Sequence, residues 1–145
     1  MSDQYTLKQV EILGGVLEYI YIPGEKDLPT LVMLHEGLGS ISTWKEFPKQ
    51  ISNTIHNPIL LYSRHGYGSS SFIKQRFCSS YMHDEALKVL PALISRLKLN
   101  RIILYGHSDG ASIAAIFAGS KPATFIEGVI LEAPHVFVEE ISIEG

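Results

Sequence analysis

Four short, continuous apolar runs constrain the fold of this chain more than any other feature. Each run is followed by a glycine-bearing or polar loop, as is typical of strands that are covered on both faces. Segments with helical spacing separate the runs, and this alternation predicts an α/β fold with a mostly parallel sheet. The runs are "TLVMLH" at 30–35, "NPILLYS" at 57–63, "RIILYG" at 101–106 and "EGVILEAP" at 127–134.

An opening hairpin and three helices complete the predicted arrangement. Two β-rich runs, "YTLKQVEIL" and "VLEYIYI", flank Gly14-Gly15, a pair suited to a tight antiparallel turn. Helices are predicted around 43–54, over 81–98 and over 109–120. Pro91 lies inside the second of them and is expected to kink that helix or to end its first half.

Composition and charge exclude several classes of function. The chain has 145 residues, of which 46% are hydrophobic and 19% charged, as in a globular domain that buries a sizeable core. A formal net charge of -3 without a basic run argues against nucleic acid and against a membrane surface as partners. No secretory signal and no run of ~18 apolar residues is present, so we expect a cytoplasmic protein that acts on a small molecule.

Neither a metal nor a cofactor is expected. Cys78 is the single cysteine, which excludes an intrachain disulfide and a cysteine-based zinc site. The "HEG" at 35–37 does not continue to the H-E-x-x-H pattern of zinc peptidases. The "RHGYGSSS" segment carries a G-x-G after a strand but lacks the third glycine of a dinucleotide-binding loop.

Ser108 is the candidate nucleophile. It lies in "GHSDG" at 106–110, a match to the G-x-S-x-G elbow, at the point where a predicted strand ends and a helix begins. A serine in this tight turn is held at the carboxyl edge of the sheet, where open α/β sheets bind ligands. The alternative is a serine that only caps the following helix.

Two backbone N–H groups are candidates for the oxyanion hole. One belongs to Asp109, the residue after the proposed nucleophile. The second is expected from the loop "LHEGLGS" after the first buried strand, where Gly37 is the candidate donor. The alternative for this loop is an ordinary glycine-rich turn between a strand and a helix.

Three segments together resemble the α/β-hydrolase family, in its small, cofactor-independent branch of esterases, lactonases and carbon–carbon bond hydrolases. They are "LHEGLGS" with Trp44 just after it, "SRHGYGSSS" and "GHSDGAS", in the family's order and spacing. Such proteins usually have glycine where this chain has Glu36, and aspartate where it has Ser63. The resemblance covers residues 5–140 and implies an α/β-hydrolase fold with an antiparallel hairpin at the start.

The resemblance also implies that the catalytic machinery extends beyond this chain. The family's triad follows the order Ser, then Asp or Glu, then His, with the last two members after later strands. We therefore expect residues 1–145 to form one incomplete domain with about six of the family's eight strands. On its own this domain is expected to be catalytically silent and to self-associate through an exposed edge strand at 127–134.

Several residues around the elbow are candidates for the pocket. His35 is expected to brace the oxyanion loop rather than to act as a base. The carboxylates of Glu36 and Asp109 should point away from an oxyanion, because a carboxylate about 4 Å away would cost about 4 kcal/mol at an effective dielectric of 20. Arg64 is the expected donor to Glu36, and His135 is expected to line the pocket at the strand's carboxyl end.

Two alternatives for the function stay open at this point. The first is a serine hydrolase that acts on an ester, a lactone or an activated C–C bond. The second is a hydrolase-like remnant that has no activity or serves as a binding module. Among the other histidines, His65 also follows a strand, whereas His107 is expected on the face opposite to Ser108.

Overall fold

A six-stranded mixed sheet forms the centre of the molecule. The computed structural model describes residues 5–72, 78–120 and 124–136. The strands are β1 (Lys8–Ile12), β2 (Gly15–Ile22), β3 (Thr30–Leu34), β4 (Ile59–Tyr62), β5 (Ile102–His107) and β6 (Ile126–Glu132). Their order is β1-β2-β4-β3-β5-β6, with β1, β2 and β4 paired antiparallel and β4, β3, β5 and β6 paired parallel. This confirms the predicted fold class.

The helices connect consecutive parallel strands along the chain. They are α1 (Phe47–Ile55), α2 (Tyr81–Asp84), α3 (Leu90–Arg96) and α4 (Asp109–Ser120), with a 3₁₀ turn at Ile41–Trp44 and a π-helical turn at Glu85–Val89. The helix predicted around 43–54 therefore divides into the 3₁₀ turn and α1. No helix in the described ranges is long and apolar enough to cross a bilayer.

Pro91 divides the long helix that the sequence predicts at 81–98. The segment consists of α2, the π-helical turn and α3, and Pro91 lies in the first turn of α3. Proline has no N–H to donate to the preceding turn, and its ring clashes with the carbonyl four residues earlier. The widened π-helical turn directly before α3 accommodates this clash, so the expected interruption is confirmed.

Both faces of the central strands are covered. All residues of β3 and β4 are buried. On one face, Val32 and Leu34 pack in a cluster with residues of α3 and α4. On the other face, Leu31 and Met33 pack in a second cluster with Ile41, and side chains of the 3₁₀ turn and α1 cover it. This two-sided burial explains why these strands are continuous apolar runs.

The hairpin turn lies one residue earlier than the glycine pair suggests. Ile12 pairs with Gly15, so the two turn residues are Leu13 and Gly14, and Gly15 opens β2. Leu13 has a φ of 49° and Gly14 a φ of 81°. Positive φ at both positions is what a two-residue turn needs to match the twist of its strands.

The strand predicted at 127–134 is the exposed edge strand that the sequence predicts for residues 1–145, although its apolar run alone suggested burial on both faces. β6 spans Ile126–Glu132, and most of its residues are exposed. Within the described residues it pairs with β5 alone and ends the sheet. A strand is fully buried only when other strands pair with both of its edges and helices cover both of its faces. The last strand of a sheet has one unpaired edge. Its exposed apolar side chains are Val129, Ile130 and Leu131.

Candidate active site

Ser108 occupies a tight turn between β5 and α4. Its φ is 53°, in the left-handed region that non-glycine residues rarely adopt. The glycines on either side are required by close packing: a Cβ at Gly106 would lie 2.3 Å from the carbonyl oxygen of Gly110, and one at Gly110 would lie 2.0 Å from that of Leu34. The Ser108 N–H donates to the Glu132 carbonyl at 2.8 Å. This is the geometry of a nucleophile elbow.

A buried arginine holds the loop that carries Gly37. Arg64 is 1% exposed, and its guanidinium donates to the carbonyls of His35 at 2.5 Å and of Glu36 at 2.8 Å. In a trans peptide the carbonyl and the next N–H point in opposite directions. Since the Glu36 carbonyl points at Arg64, the N–H of Gly37 points away from it.

His35 braces the same loop. Its Nε2 accepts from the backbone N–H of Arg64 at 3.0 Å, and its Nδ1 lies 2.8 Å from the carbonyl oxygen of Glu36. These two contacts are satisfied together when Nδ1 carries the proton and donates. Both ring nitrogens are then engaged in shaping the loop, which suits a bracing role better than that of a base.

The predicted pairing of Arg64 with the Glu36 carboxylate is wrong. Arg64 is bound to backbone carbonyls within the fold, whereas the Glu36 carboxylate lies at the surface and accepts from Thr43 Oγ1 at 3.3 Å. It also fills the space beside Gly39, where a Cβ would lie 2.3 Å from Oε2. The Arg64 guanidinium is thus engaged by backbone carbonyls, and the half-buried Glu36 side chain has a different partner.

The Asp109 carboxylate lies against the loop that carries Gly37, contrary to the expectation that it points away from this loop. A Cβ at Gly37 would lie 2.9 Å from Asp109 Oδ2, and the Tyr81 hydroxyl donates to the same oxygen. Burial and the bond to Asp109 raise the pKa of Tyr81, which keeps this hydroxyl a donor. Asp109 does lie in the first turn of α4, where the helix dipole favours its charge.

His135 lies within hydrogen-bond distance of the proposed nucleophile. Its Nε2 lies 2.9 Å from Ser108 Oγ and 3.4 Å from Asp109 Oδ1. Ser112 holds the backbone of the same histidine: Ser112 Oγ accepts from the His135 N–H at 2.8 Å and donates to the His135 carbonyl at 3.2 Å. The sequence predicts His135 as a pocket residue; its contact with the serine depends on the path of the chain after β6.

Sequence reasoning missed Tyr81 and Ser112. Ser112 lies in the first turn of α4, four residues after Ser108, and its N–H donates to the Ser108 carbonyl at 3.1 Å; this short spacing was the signal available. Tyr81 reaches Asp109 from α2, and no local pattern indicates that contact. His65, which follows β4, is 3% exposed, and His107, the last residue of β5, is half-buried.

Glu18 is a further residue that the sequence did not indicate. Ser63 stands where the family usually has aspartate, and its hydroxyl donates to Glu18 Oε1 at 2.5 Å while accepting from the Ile41 N–H at 2.9 Å. Glu18 comes from β2 and is 5% exposed. A carboxylate from another strand thus lies next to the position where the family's own carboxylate would be.

No metal site is formed by the residues that can be described. Within these ranges, no group of three or more His, Cys, Asp or Glu side chains is arranged to hold an ion. The polar side chains described beside Ser108 include an imidazole, a carboxylate and hydroxyls, which suit hydrogen bonding and proton transfer.

Comparison with known proteins assigns the family. A model described as the alpha/beta hydrolase fold matches residues 29–143. The chain belongs to the α/β-hydrolase family. It is 31% identical over 120 residues to a proline iminopeptidase of Lactobacillus helveticus (strain DPC 4571) and 28% identical over 121 residues to one of Lactobacillus delbrueckii subsp. lactis. These matches cover 82% and 83% of this chain but 40% and 41% of the two relatives.

Solved structures of other α/β hydrolases share the fold. The haloalkane dehalogenase DatA from Agrobacterium tumefaciens C58 superimposes with a TM-score of 0.76 at 19% identity, over 91% of this chain and 42% of that one. An epoxide hydrolase from Vigna radiata gives a TM-score of 0.73 at 20% identity, over 87% and 39%. The chain thus spans about two fifths of the length of its relatives.

Proposed function

We propose that this chain carries the nucleophile and the oxyanion donors of a serine hydrolase that acts on an ester, a lactone or an activated C–C bond. The observation that carries the proposal is the turn at Ser108, with its φ of 53° between two glycines that no larger residue could replace. Strain of this kind persists where the surrounding structure enforces it, and it is concentrated at functional sites. A serine that only capped α4 would not require it.

The proposed reaction uses two backbone donors beside the serine. Ser108 Oγ attacks the carbonyl carbon, and the carbonyl oxygen takes up the negative charge. The N–H of Asp109 opens α4, where the first N–H groups of a helix have no intrahelical acceptor. The N–H of Gly37 points away from Arg64, and neither N–H donates to a backbone acceptor within the described residues. Donors of this kind each contribute about 2.7–4 kcal/mol to stabilising an oxyanion.

The identity of the nucleophile does not determine which substrate the whole protein acts on. Proline iminopeptidases are among the relatives that this chain matches, and the chain covers 40% of one of them. A substrate panel should therefore include an acyl ester, a lactone, a vinylogous 1,5-diketone for C–C cleavage and a proline amide. Turnover of one class over the others would assign the reaction.

The test of the nucleophile is Ser108→Ala. We expect this variant to lose both turnover and covalent labelling by a fluorophosphonate probe, because the probe forms its bond with an activated serine oxygen. Ser95→Ala is the matched control, since Ser95 is an exposed serine on α3. Labelling of the Ser108→Ala variant at the original rate would remove Ser108 from the mechanism.

A second candidate function is a binding module without turnover. The position of the Asp109 carboxylate against Gly37 favours it, because a negative charge beside an oxyanion opposes acyl transfer. In that case Ser108→Ala would leave ligand binding unchanged, and no substrate of the panel would be hydrolysed by the chain or by a longer form of the protein.

A further inference from the structure

We propose that His135 accepts the Ser108 proton in this chain and that Ser112 is the positioning residue that holds it there. The inference rests on the proposed serine nucleophile. It adds a proton acceptor from the segment directly after β6, in place of a histidine expected after a later strand. The expectation that the chain is silent assumed that no histidine lies within reach of Ser108.

The distance between the two side chains allows direct proton transfer. Nε2 of His135 lies 2.9 Å from Ser108 Oγ, within the range of about 2.6–3.2 Å that a general base requires. Transfer needs the tautomer with the proton on Nδ1, so that Nε2 presents its lone pair to the serine O–H. The histidine side chain is 58% exposed, which leaves room for a substrate and for tautomer exchange with water.

Ser112 fixes the histidine through its backbone rather than its ring. The Ser112 hydroxyl bonds both the N–H and the carbonyl of His135, at 2.8 and 3.2 Å. Ser112 is buried on α4, one helical turn after the nucleophile. Because serine and histidine are thus tied to the same helix, their separation is set by α4 and not by the loop alone.

Asp109 lies where it stabilises the product of the transfer. Its Oδ1 is 3.4 Å from Nε2, the atom that gains the proton, and its Oδ2 accepts from Tyr81. The charge of the resulting imidazolium is then next to a carboxylate held by a second donor. The acidic side chain at the end of β6, Glu132, is engaged by the Tyr105 hydroxyl.

The proposed step balances as follows. The O–H bond of Ser108 breaks, its proton moves to Nε2 of His135, and the oxygen forms a bond to the carbonyl carbon while the carbonyl electron pair moves onto oxygen. Collapse of this intermediate breaks the bond to the leaving group, which takes the proton from Nε2. With a fluorophosphonate the serine oxygen bonds to phosphorus, fluoride leaves, and the proton stays on Nε2.

The first experiment measures the rate of fluorophosphonate labelling of the 145-residue chain. Labelling at Ser108 should fall about 100-fold in His135→Ala, in line with the contribution of a general base. Free imidazole at millimolar concentration should restore part of the rate, because the vacated site is open to solvent. His83→Ala is the matched control, an exposed histidine on α2 that should label at the rate of the unmodified chain with or without imidazole.

The second experiment tests Ser112 through a double-mutant cycle. Ser112→Ala should slow labelling about 10-fold while the chain stays folded. In the His135→Ala background the same substitution should change nothing further, because Ser112 acts through the histidine. A purely structural role for Ser112 would give the same loss in both backgrounds and would overturn its assignment.

The remaining outcomes separate this inference from the proposed function. Equal labelling of His135→Ala and the unmodified chain would overturn the inference and leave Ser108 as the nucleophile. If the unmodified chain were labelled only when imidazole is present, His135 would not be acting as the proton acceptor. This result would also overturn the inference and leave Ser108 as the nucleophile. No labelling at Ser108 under any of these conditions would contradict both proposals.

Discussion

A carboxylate from a different strand lies at the one position where this chain has serine in place of the family's usual aspartate. At position 63 a serine replaces the usual aspartate, and Glu18 supplies a carboxylate to the same place from β2. A Cβ at Gly68 would lie 1.9 Å from Glu18 Oε1, so the loop after β4 closes over this buried carboxylate. In this chain the carboxylate at this place therefore comes from β2, and it accepts a hydrogen bond from Ser63.

Restoring the family residue should destabilise this protein. Ser63→Asp places a second carboxylate beside Glu18, and two buried like charges repel each other by several kcal/mol unless one takes up a proton. We expect the free energy of unfolding in urea to fall by about 2–4 kcal/mol. In a Glu18→Gln background the same substitution should cost less than half as much.

Equal losses in both backgrounds would show that Asp at position 63 is rejected for its shape and not for its charge. Ser95→Ala serves as the control, because its side chain is exposed on α3 and contacts neither residue.

The backbone conformation of single residues determines where several helices and strands begin and end. α4 begins directly after the strained turn at Ser108, and α3 begins at the residue before Pro91. The hairpin of β1 and β2 has a similar constraint, because its turn places Leu13, a branched residue, in the left-handed region. That conformation costs a non-glycine residue about 1–2 kcal/mol.

Leu13→Asn should stabilise the chain. Asparagine adopts positive φ more readily than leucine, and Asn-Gly is the preferred pair for this type of turn. Leu13 is 59% exposed, so little packing is lost. We expect a gain of about 1 kcal/mol and a rise of about 3 °C in Tm, measured by circular dichroism.

Leu7→Asn is the matched control, because Leu7 is 48% exposed and its φ is not in the left-handed region. Its effect should lie within about 0.5 kcal/mol. A Tm for Leu13→Asn at or below that of the control would mean that the Leu13 side chain stabilises the turn by contacts that outweigh its strain.

At the scale of the whole molecule, the sheet has two very different ends. β1 carries exposed charged side chains, Lys8 and Glu11, which discourage pairing with another chain. β6 presents three consecutive apolar side chains to solvent and has neither lysine nor proline within its bounds. An open strand of this kind is a template for a further strand.

We expect the chain to self-associate through β6. Size-exclusion chromatography with light scattering should give a mass above 16.1 kDa that rises with concentration. Ile130→Lys should shift the protein toward the monomer, because a charge on the open strand opposes pairing. Leu7→Lys, at a residue of nearly equal exposure next to β1, should leave the mass distribution unchanged.

A monomer at all concentrations for the unmodified chain would contradict this prediction. An equal effect of both lysine variants would mean that association depends on net charge and does not involve β6.

The sequence alone determined the fold class, the order of the elements and the tight turn at Ser108. Each of these follows from short-range physics: two-sided burial makes a strand apolar throughout, and a close turn demands glycines at fixed offsets. The bounds of α1 and the turn residue Leu13 were missed by a few positions, because hydrogen bonding and pairing register decide where an element ends.

Only the tertiary structure decided which polar groups meet at the site. Tyr81 reaches Asp109 from 28 positions away, His135 reaches Ser108 from 27, and Glu18 reaches Ser63 from 45. The Asp109 carboxylate turns toward Gly37 and not away from it because these partners lie there. Such contacts depend on how helices pack on the sheet and where loops return to its edge. No local pattern of residues predicts these contacts, because residues so far apart in sequence come together only when the whole chain has folded.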